Sequence, residues 1–222
     1  MIIADRKPIN DIKEMLSPYK KILLVGCGTC VSVCMTGGEK EVGILASELR
    51  MVSELDKKGW EITETTIQRQ CDREYIEPLR EQFEQADIVM SMACGVGIQY
   101  MAEIFPKQVV LPAINTTFYG TTVKEGEWGE RCAGCGDCVL HLTLGICPVA
   151  RCSKGLYNGP CGGTDLGKCE VSKEIDCAWY LIYNRMKDLG KLDMIGTFIP
   201  PRSWKSSLHG GPRKRVREDL KK

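Results

Sequence analysis

Lys21–Cys34, KILLVGCGTCVSVC, decides how the chain is read. KILLVG (Lys21–Gly26) is a short apolar run halted by glycine, as expected of a buried strand. Three cysteines follow at once, Cys27, Cys30 and Cys34, on a C-x-x-C-x-x-x-C spacing. A strand that runs straight into closely spaced thiols sets those thiols at the carboxyl edge of a sheet. That edge is where open α/β sheets gather their ligands.

Working outward, strand and helix patterns alternate. Glu39–Lys58 carries Val42, Leu45, Leu49, Val52 and Leu55 at spacings of three and four, one apolar helix face closed by Gly59. Trp60–Ile67 alternates and is rich in Thr and Ile, which predicts a strand. Asp72–Gln85 reads as a helix with Tyr75, Leu79 and Phe83 on one face, provided Pro78 falls in its first turn. Asp87–Met92 predicts a third strand, Val96–Phe105 a short helix and Gln108–Ile114 a fourth strand. Strand–helix repeats imply right-handed crossovers and a parallel sheet with helices on both faces. The expected fold class is therefore α/β, a small doubly wound parallel sheet of about four strands in the order 2-1-3-4. It occupies residues 1–118, with Tyr119–Gly129 as the boundary.

The same logic brings five cysteines to one edge. Cys27 ends strand one, Cys30 and Cys34 lie in the following turn, Cys71 comes just after strand two, and Cys94 closes strand three. A cubane-type iron–sulfur cluster takes four thiolates. Cys27, Cys30, Cys34 and Cys94 are the expected ligands, with Cys71 as the alternate. GCGTC also resembles a dinucleotide-binding turn. The fingerprint G-x-G-x-x-G is incomplete, because Val31 stands where the third glycine belongs.

Residues 119–222 are different in kind. Arg131–Val171 is Gly-rich, has no long apolar run, and opens with a strict C-x-x-C-x-x-C at Cys132, Cys135 and Cys138. Ferredoxin-type sites use this run with a fourth cysteine before proline, and Cys147 precedes Pro148. Cys152, Cys161 and Cys169 follow on spacings that match no established pattern. Such a segment buries too little apolar surface to fold unaided, so metal ties are expected to replace a core. Structural zinc is the rival, but it typically uses two C-x-x-C pairs and only one clean pair is present. Ile175–Asp188, with Trp179, Ile182, Tyr183 and Met186, predicts an amphipathic helix closed by Gly190. Cys177 is placed on it, either as a further ligand or simply packed.

Composition sets the compartment. Thirteen cysteines in 222 residues is an odd count, which a purely paired disulfide framework does not favour. MIIADRKPIN has no basic segment, apolar segment or cleavage site of a secretory leader, and no apolar run reaches the ~18 residues of a membrane span. A reducing, cytoplasmic setting and metal ligation are therefore expected. The net charge of +1 excludes a strong general attraction to nucleic acid. The basic tail GGPRKRVREDLKK reads as a solvated terminus.

Over Lys20–Trp204 the chain resembles the small cysteine-rich partner subunit of methylenetetrahydrofolate reductase of acetogenic and other anaerobic bacteria. This family is also catalogued as a methylenetetrahydrofolate reductase C-terminal domain. The resemblance rests on GCGTCVSVCMTGGEKEV (Gly26–Val42), CGVGIQ (Cys94–Gln99), CAGCGDCVL (Cys132–Leu140), GICPVARCSKGLYNGPCGG (Gly145–Gly163) and CAWYLIYNRMKDLGKLD (Cys177–Asp193). It implies a stable complex with a flavin-containing barrel subunit. It also implies at least two 4Fe–4S clusters that relay electrons from ferredoxin or a larger redox complex to that flavin. The family has been labelled zinc-binding as well, which leaves a non-redox, zinc-holding assembly module as the alternative.

No catalytic residue is expected in this chain. Its two histidines, His141 and His209, have no paired acid or nucleophile. His141 is expected to be packed or hydrogen-bonded in its apolar stretch. A (β/α)₈ barrel needs about 250 residues, so the flavin belongs to the partner. The exposed face of the Ile175–Asp188 helix and the Asn158–Gly163 loop are the expected docking surfaces.

Overall fold

In the computed structural model, which describes residues 1–201 and 212–220, the chain divides into two units, Met1–Trp128 and Gly129–Lys222. The expected features at Trp204 and His209 lie outside the described residues.

In the first unit, Ile2–Arg6 forms strand β1, Ile9–Leu16 helix α1 and Lys21–Cys27 strand β2. Alternation along β2 sorts the core into two layers. Ile22 and Leu24 face one cluster, with Ile12 and Leu16 of α1 and with Val42, Leu45 and Leu49. Leu23 and Val25 face the other, with Ile76, Leu79, Phe83, Met101 and Phe105. A strand buried on both faces reads as one continuous apolar run.

Cys30–Val33 is the single-turn helix α2, and Glu39–Leu55 is α3. The Glu41 carboxylate accepts the Gly38 N–H at 3.1 Å, which satisfies one free donor where α3 begins. The helix stops three residues short of its sequence expectation. Lys57 and Gly59 take positive φ, and Leu55 is 81 % exposed although its spacing put it on the apolar face. Glu61–Ile67 is β3. The helix expected over Asp72–Gln85 is three pieces: α4 (Arg73–Ile76), a 3₁₀ turn (Glu77–Leu79) and α5 (Arg80–Gln85). Pro78 lies in the 3₁₀ turn. It lacks the N–H that a continuous α-helix would need there. Ile88–Ser91 is β4, Gly95–Ile104 is α6 and Val110–Pro112 is β5.

The four parallel strands run β3-β2-β4-β5, which is the expected order 2-1-3-4. The unit also has a second sheet that was not anticipated. Ile114–Lys124 forms β6 and Glu127–Cys132 forms β7, in the order β1-β6-β7. β1 pairs antiparallel with β6, Ile2 opposite Tyr119 and Arg6 opposite Ile114. Most of Tyr119–Gly129, read from its composition as a connection, is thus strand.

The loop after α2 fits against the sheet without spare room. Cys27 N–H donates to Gly37 O at 2.8 Å, and a Cβ on Gly37 would lie 1.9 Å from Met92 O. Gly37→Ala should therefore lower stability by about 1–3 kcal/mol, the usual cost of forcing extra volume into a packed site. The readout is the urea midpoint at unchanged slope. An unmoved midpoint would mean that the loop yields freely.

In the second unit, Pro148–Arg151 forms α7 and Ala178–Asp188 forms α8. Leu192–Gly196 and Glu218–Leu220 are 3₁₀ turns, and among the described residues that follow β7 the remainder is turns and isolated bridges, Asp165 with Lys168 and Lys168 with Asp176. α8 begins after Cys177, which is its N-cap rather than a residue of the helix. Trp179, Ile182 and Met186 face inward and Tyr180 and Tyr183 outward. His141 is exposed, not packed as its apolar surroundings suggested.

Candidate metal centres

None of the thirteen cysteines is joined in a disulfide in the structure. In the first unit the sheet does collect cysteines at its carboxyl edge. Cys27 is the last residue of β2 and buried; its Sγ lies 3.5 Å from Thr29 Oγ1 and 3.9 Å from Gln68 O. Cys94 is the N-cap of α6, where helix N–H groups favour negative charge. Cys71 is exposed as a residue, yet its thiol is pushed above the ordinary range. Partial burial is the main cause, followed by the negative charge that Cys27 and Cys94 would carry. These three sulfurs are therefore electrostatic neighbours. Cys30 is half-buried at the start of α2.

Cys34 is placed otherwise. It is 3 % exposed, and its Sγ lies 3.6 Å from Val31 O and 3.5 Å from Thr36 Oγ1. Met35 has φ +54, a turn that reverses the chain there. The reversal carries Thr36 onto β1, where its hydroxyl donates to Ala4 O at 2.8 Å. Cys34 is thus packed in the core beneath β1.

Gln70 holds the Cys71 loop in place. It is fully buried; its Nε2 donates to Val25 O of β2 at 2.8 Å, and its Oε1 accepts from Ser91 Oγ of β4 at 2.6 Å. Ser91 Oγ in turn accepts the Ala93 N–H at 3.1 Å, so its own proton is free for Gln70. This fixes which end of the amide faces which strand. Sequence reasoning did not find Gln70. Its only local signal is that it precedes Cys71.

In the second unit, three sulfurs accept backbone N–H groups. Gly134 N–H points to Cys132 Sγ at 3.4 Å, and Gly163 N–H to Cys161 Sγ at 3.4 Å. Cys169 is held below the ordinary thiol range. The Val171 N–H contributes most, then the Ser153 hydroxyl; burial opposes them, and the Ser172 N–H and the Lys154 charge add smaller pulls. In each case a donor sits two residues after the cysteine. Such N–H···S bonds stabilise a thiolate and tune a metal bound to it. Two of the donors are glycines, in C-A-G and C-G-G, a signal the sequence does carry.

Cys135 and Cys138 complete the run from Cys132. Cys147 and Cys152 flank α7 as its N-cap and C-cap. Arg151, at the end of that helix, has its guanidinium pulled below the usual range by burial and by Arg131, while Asp176 and Cys147 act the other way. Cys152, Cys161, Cys169 and Cys177 line one cavity of about 240 Å³. Among the described residues, no three His, Cys, Asp or Glu side chains are grouped so as to hold a single metal ion. The donor chemistry nonetheless fits a thiophilic group, through amide-stabilised sulfurs in the second unit and adjoining thiols in the first.

Among the described residues, no helix is long and apolar enough to cross a membrane. No curated protein and no solved structure matches the chain. Residues 111–205 match the model of the family described as methylene-tetrahydrofolate reductase C terminal, and this match relates the cysteine-rich part of the chain to methylenetetrahydrofolate reductase.

Proposed function

We propose that the chain is an iron–sulfur electron-transfer subunit, cytoplasmic, that relays electrons to the flavin of a partner methylenetetrahydrofolate reductase catalytic subunit. The donor is ferredoxin or a larger redox complex. The observation that carries this reading is the set of backbone N–H groups aimed at Cys132, Cys161 and Cys169, placed as ligands of a redox cluster need them. The family match over residues 111–205 supports the choice of reductase. Bound clusters would supply one-electron transfer. The chain's residues supply thiolate ligands, charge-stabilising amides and a docking face.

In the first unit the placement favours Cys71 over Cys34, giving Cys27, Cys30, Cys71 and Cys94 as the ligand set. In the second, Cys132, Cys135, Cys138 and Cys147 form the ferredoxin-like set. Cys71→Ser is expected to lose about four irons per chain, the content of one cubane, and Cys34→Ser to lose none. Retained iron in Cys71→Ser would return the fourth position to Cys34.

The functional test is anaerobic co-expression with a flavin-containing reductase. The expected result is a stable heterocomplex, brown, with matching iron and acid-labile sulfide, that reduces methylenetetrahydrofolate from a low-potential donor. The isolated chain is expected to have no reductase activity. A colourless protein with stoichiometric zinc would favour the assembly module instead. Separate elution of the two chains at micromolar concentration would overturn the partnership.

A further inference from the structure

The spacings between Cys152, Cys161, Cys169 and Cys177 suggest nothing when read along the chain. In space they do, because all four line the same cavity. We propose that these four thiols bind one 4Fe–4S cluster of their own, separate from the centre held by the Cys132 run, with Cys177 as its fourth ligand. This goes beyond the reading above, which gives Cys177 no role, and it does not depend on the identity of the partner.

Each sulfur is presented by a different local device. Cys152 leaves the C-terminal end of α7, and Cys147 enters at the other end. α7 stands between the two. Cys161 accepts the Gly163 N–H. Cys169 is anchored by its own N–H to Ile175 O at 2.8 Å, and its sulfur is surrounded by donors. Cys177 donates its N–H to Gly167 O at 2.8 Å and caps α8, an eleven-residue helix whose first N–H groups have no partner within the helix.

A single zinc holds its four sulfurs about 2.3 Å from one point. The residues that carry these thiols instead line about 240 Å³ of space, room for a polynuclear core. Trp179 and Tyr180 form part of the cavity wall. Trp179 is fixed by its Nε1–H to Leu156 O at 2.7 Å. Lys154 beside Cys169, and Arg151 on the cavity wall, offset the negative charge of four thiolates. On binding, a preassembled 4Fe–4S core is transferred from a donor thiolate scaffold, and each thiol passes its proton to a departing scaffold thiolate as its Fe–S bond forms.

Pro160, Cys161 and Gly162 of the candidate docking loop and Tyr180 and Tyr183 of the exposed α8 face also line this cavity. The proposed cluster therefore adjoins the surface on which a partner is expected.

The test uses the full chain, loaded and purified without oxygen. Cys177→Ser and Cys161→Ser should each lose about four irons and four sulfides, one cubane. Cys135→Ser should lose a different four, and the Cys135→Ser/Cys177→Ser double variant the sum. Unmodified protein gives a second readout that no folding defect can mimic. Alkylation and mass spectrometry should find Cys152, Cys161, Cys169 and Cys177 protected when loaded, and all four labelled together once the cluster is removed by oxidation and chelation. Full iron in Cys177→Ser, removal of the same four irons by Cys135→Ser and Cys177→Ser, zinc in place of iron, or labelling of Cys177 in the loaded protein would each overturn the proposal. None of these outcomes depends on whether a reductase partner binds.

Discussion

Stripped of metal under reducing conditions, the chain should be cut by protease throughout Arg131–Lys173 while Met1–Trp128 survives as a resistant fragment. The asymmetry follows from what each unit buries. The first has two apolar clusters, one on each face of a four-stranded sheet. The second has one, built on Trp179, Ile182 and Met186 and flanked by Leu144, Ile146 and Met194. Fully burying one large apolar side chain contributes about 1.5–3 kcal/mol. Three such residues do not offset the entropy of ordering the long irregular segment that precedes α8, at roughly 1.5 kcal/mol per residue. Ligation energy is then folding energy, as in other small metal-dependent domains. Limited proteolysis with fragment mapping, before and after chelation, measures it. Uniform resistance of Arg131–Lys173 in the metal-free protein would mean that the turns and ion pairs there, such as Lys168 with Asp176, suffice.

Gln70→Met should lower the stability of the first unit by about 1–3 kcal/mol, because the buried Ser91 hydroxyl loses its acceptor, while Val25 O loses one of two bonds and keeps the Met92 N–H. Methionine keeps most of the volume, so the loss is one of hydrogen bonding rather than of a cavity. The same change releases the loop that presents Cys71 to Cys27 and Cys94. Iron bound by the first unit should fall by about four per chain, one cubane, and iron in the second should not change. Urea midpoints and iron per chain are the readouts. A stability loss with full iron would show that Cys71 reaches its place without Gln70. No change in either would remove Gln70 from the design of the site.

The parallel sheet was legible because its strands are self-contained patterns. Lys21–Cys27 is apolar throughout since both faces are covered, and Glu39–Leu55 shows one clean stripe. The second sheet was not legible. IIADR is short and only partly apolar, and its partner strand begins at Ile114, too far along the chain for any local pattern to announce the pairing. That omission explains the expectation for Cys34. Four residues after Cys30, it looks like a neighbour on one helix face. The helix ends at Val33, the chain reverses at Met35, and the sulfur lies against Val31 O and Thr36 Oγ1, with Thr36 bonded to β1. In the second unit the Cys132 run was readable because its cysteines are adjacent in sequence. The Cys152–Cys177 set was not, because loops of unequal length bring those residues together and spacing alone records nothing of that.

The pairing of Ile2–Arg6 with Ile114–Lys124 also sets an order of events during synthesis. The first strand leaves the ribosome long before its partner. At about 5–20 residues per second, roughly 110 residues of further translation take about 6–22 s. For that interval β1, whose Ala4 O receives the Thr36 hydroxyl, has no strand beside it. The contact next to Cys34 is then held by an unpaired strand until Ile114–Lys124 has been made. A cluster inserted in that window would meet Cys34 less firmly packed than one inserted after release, when the residue is 3 % exposed.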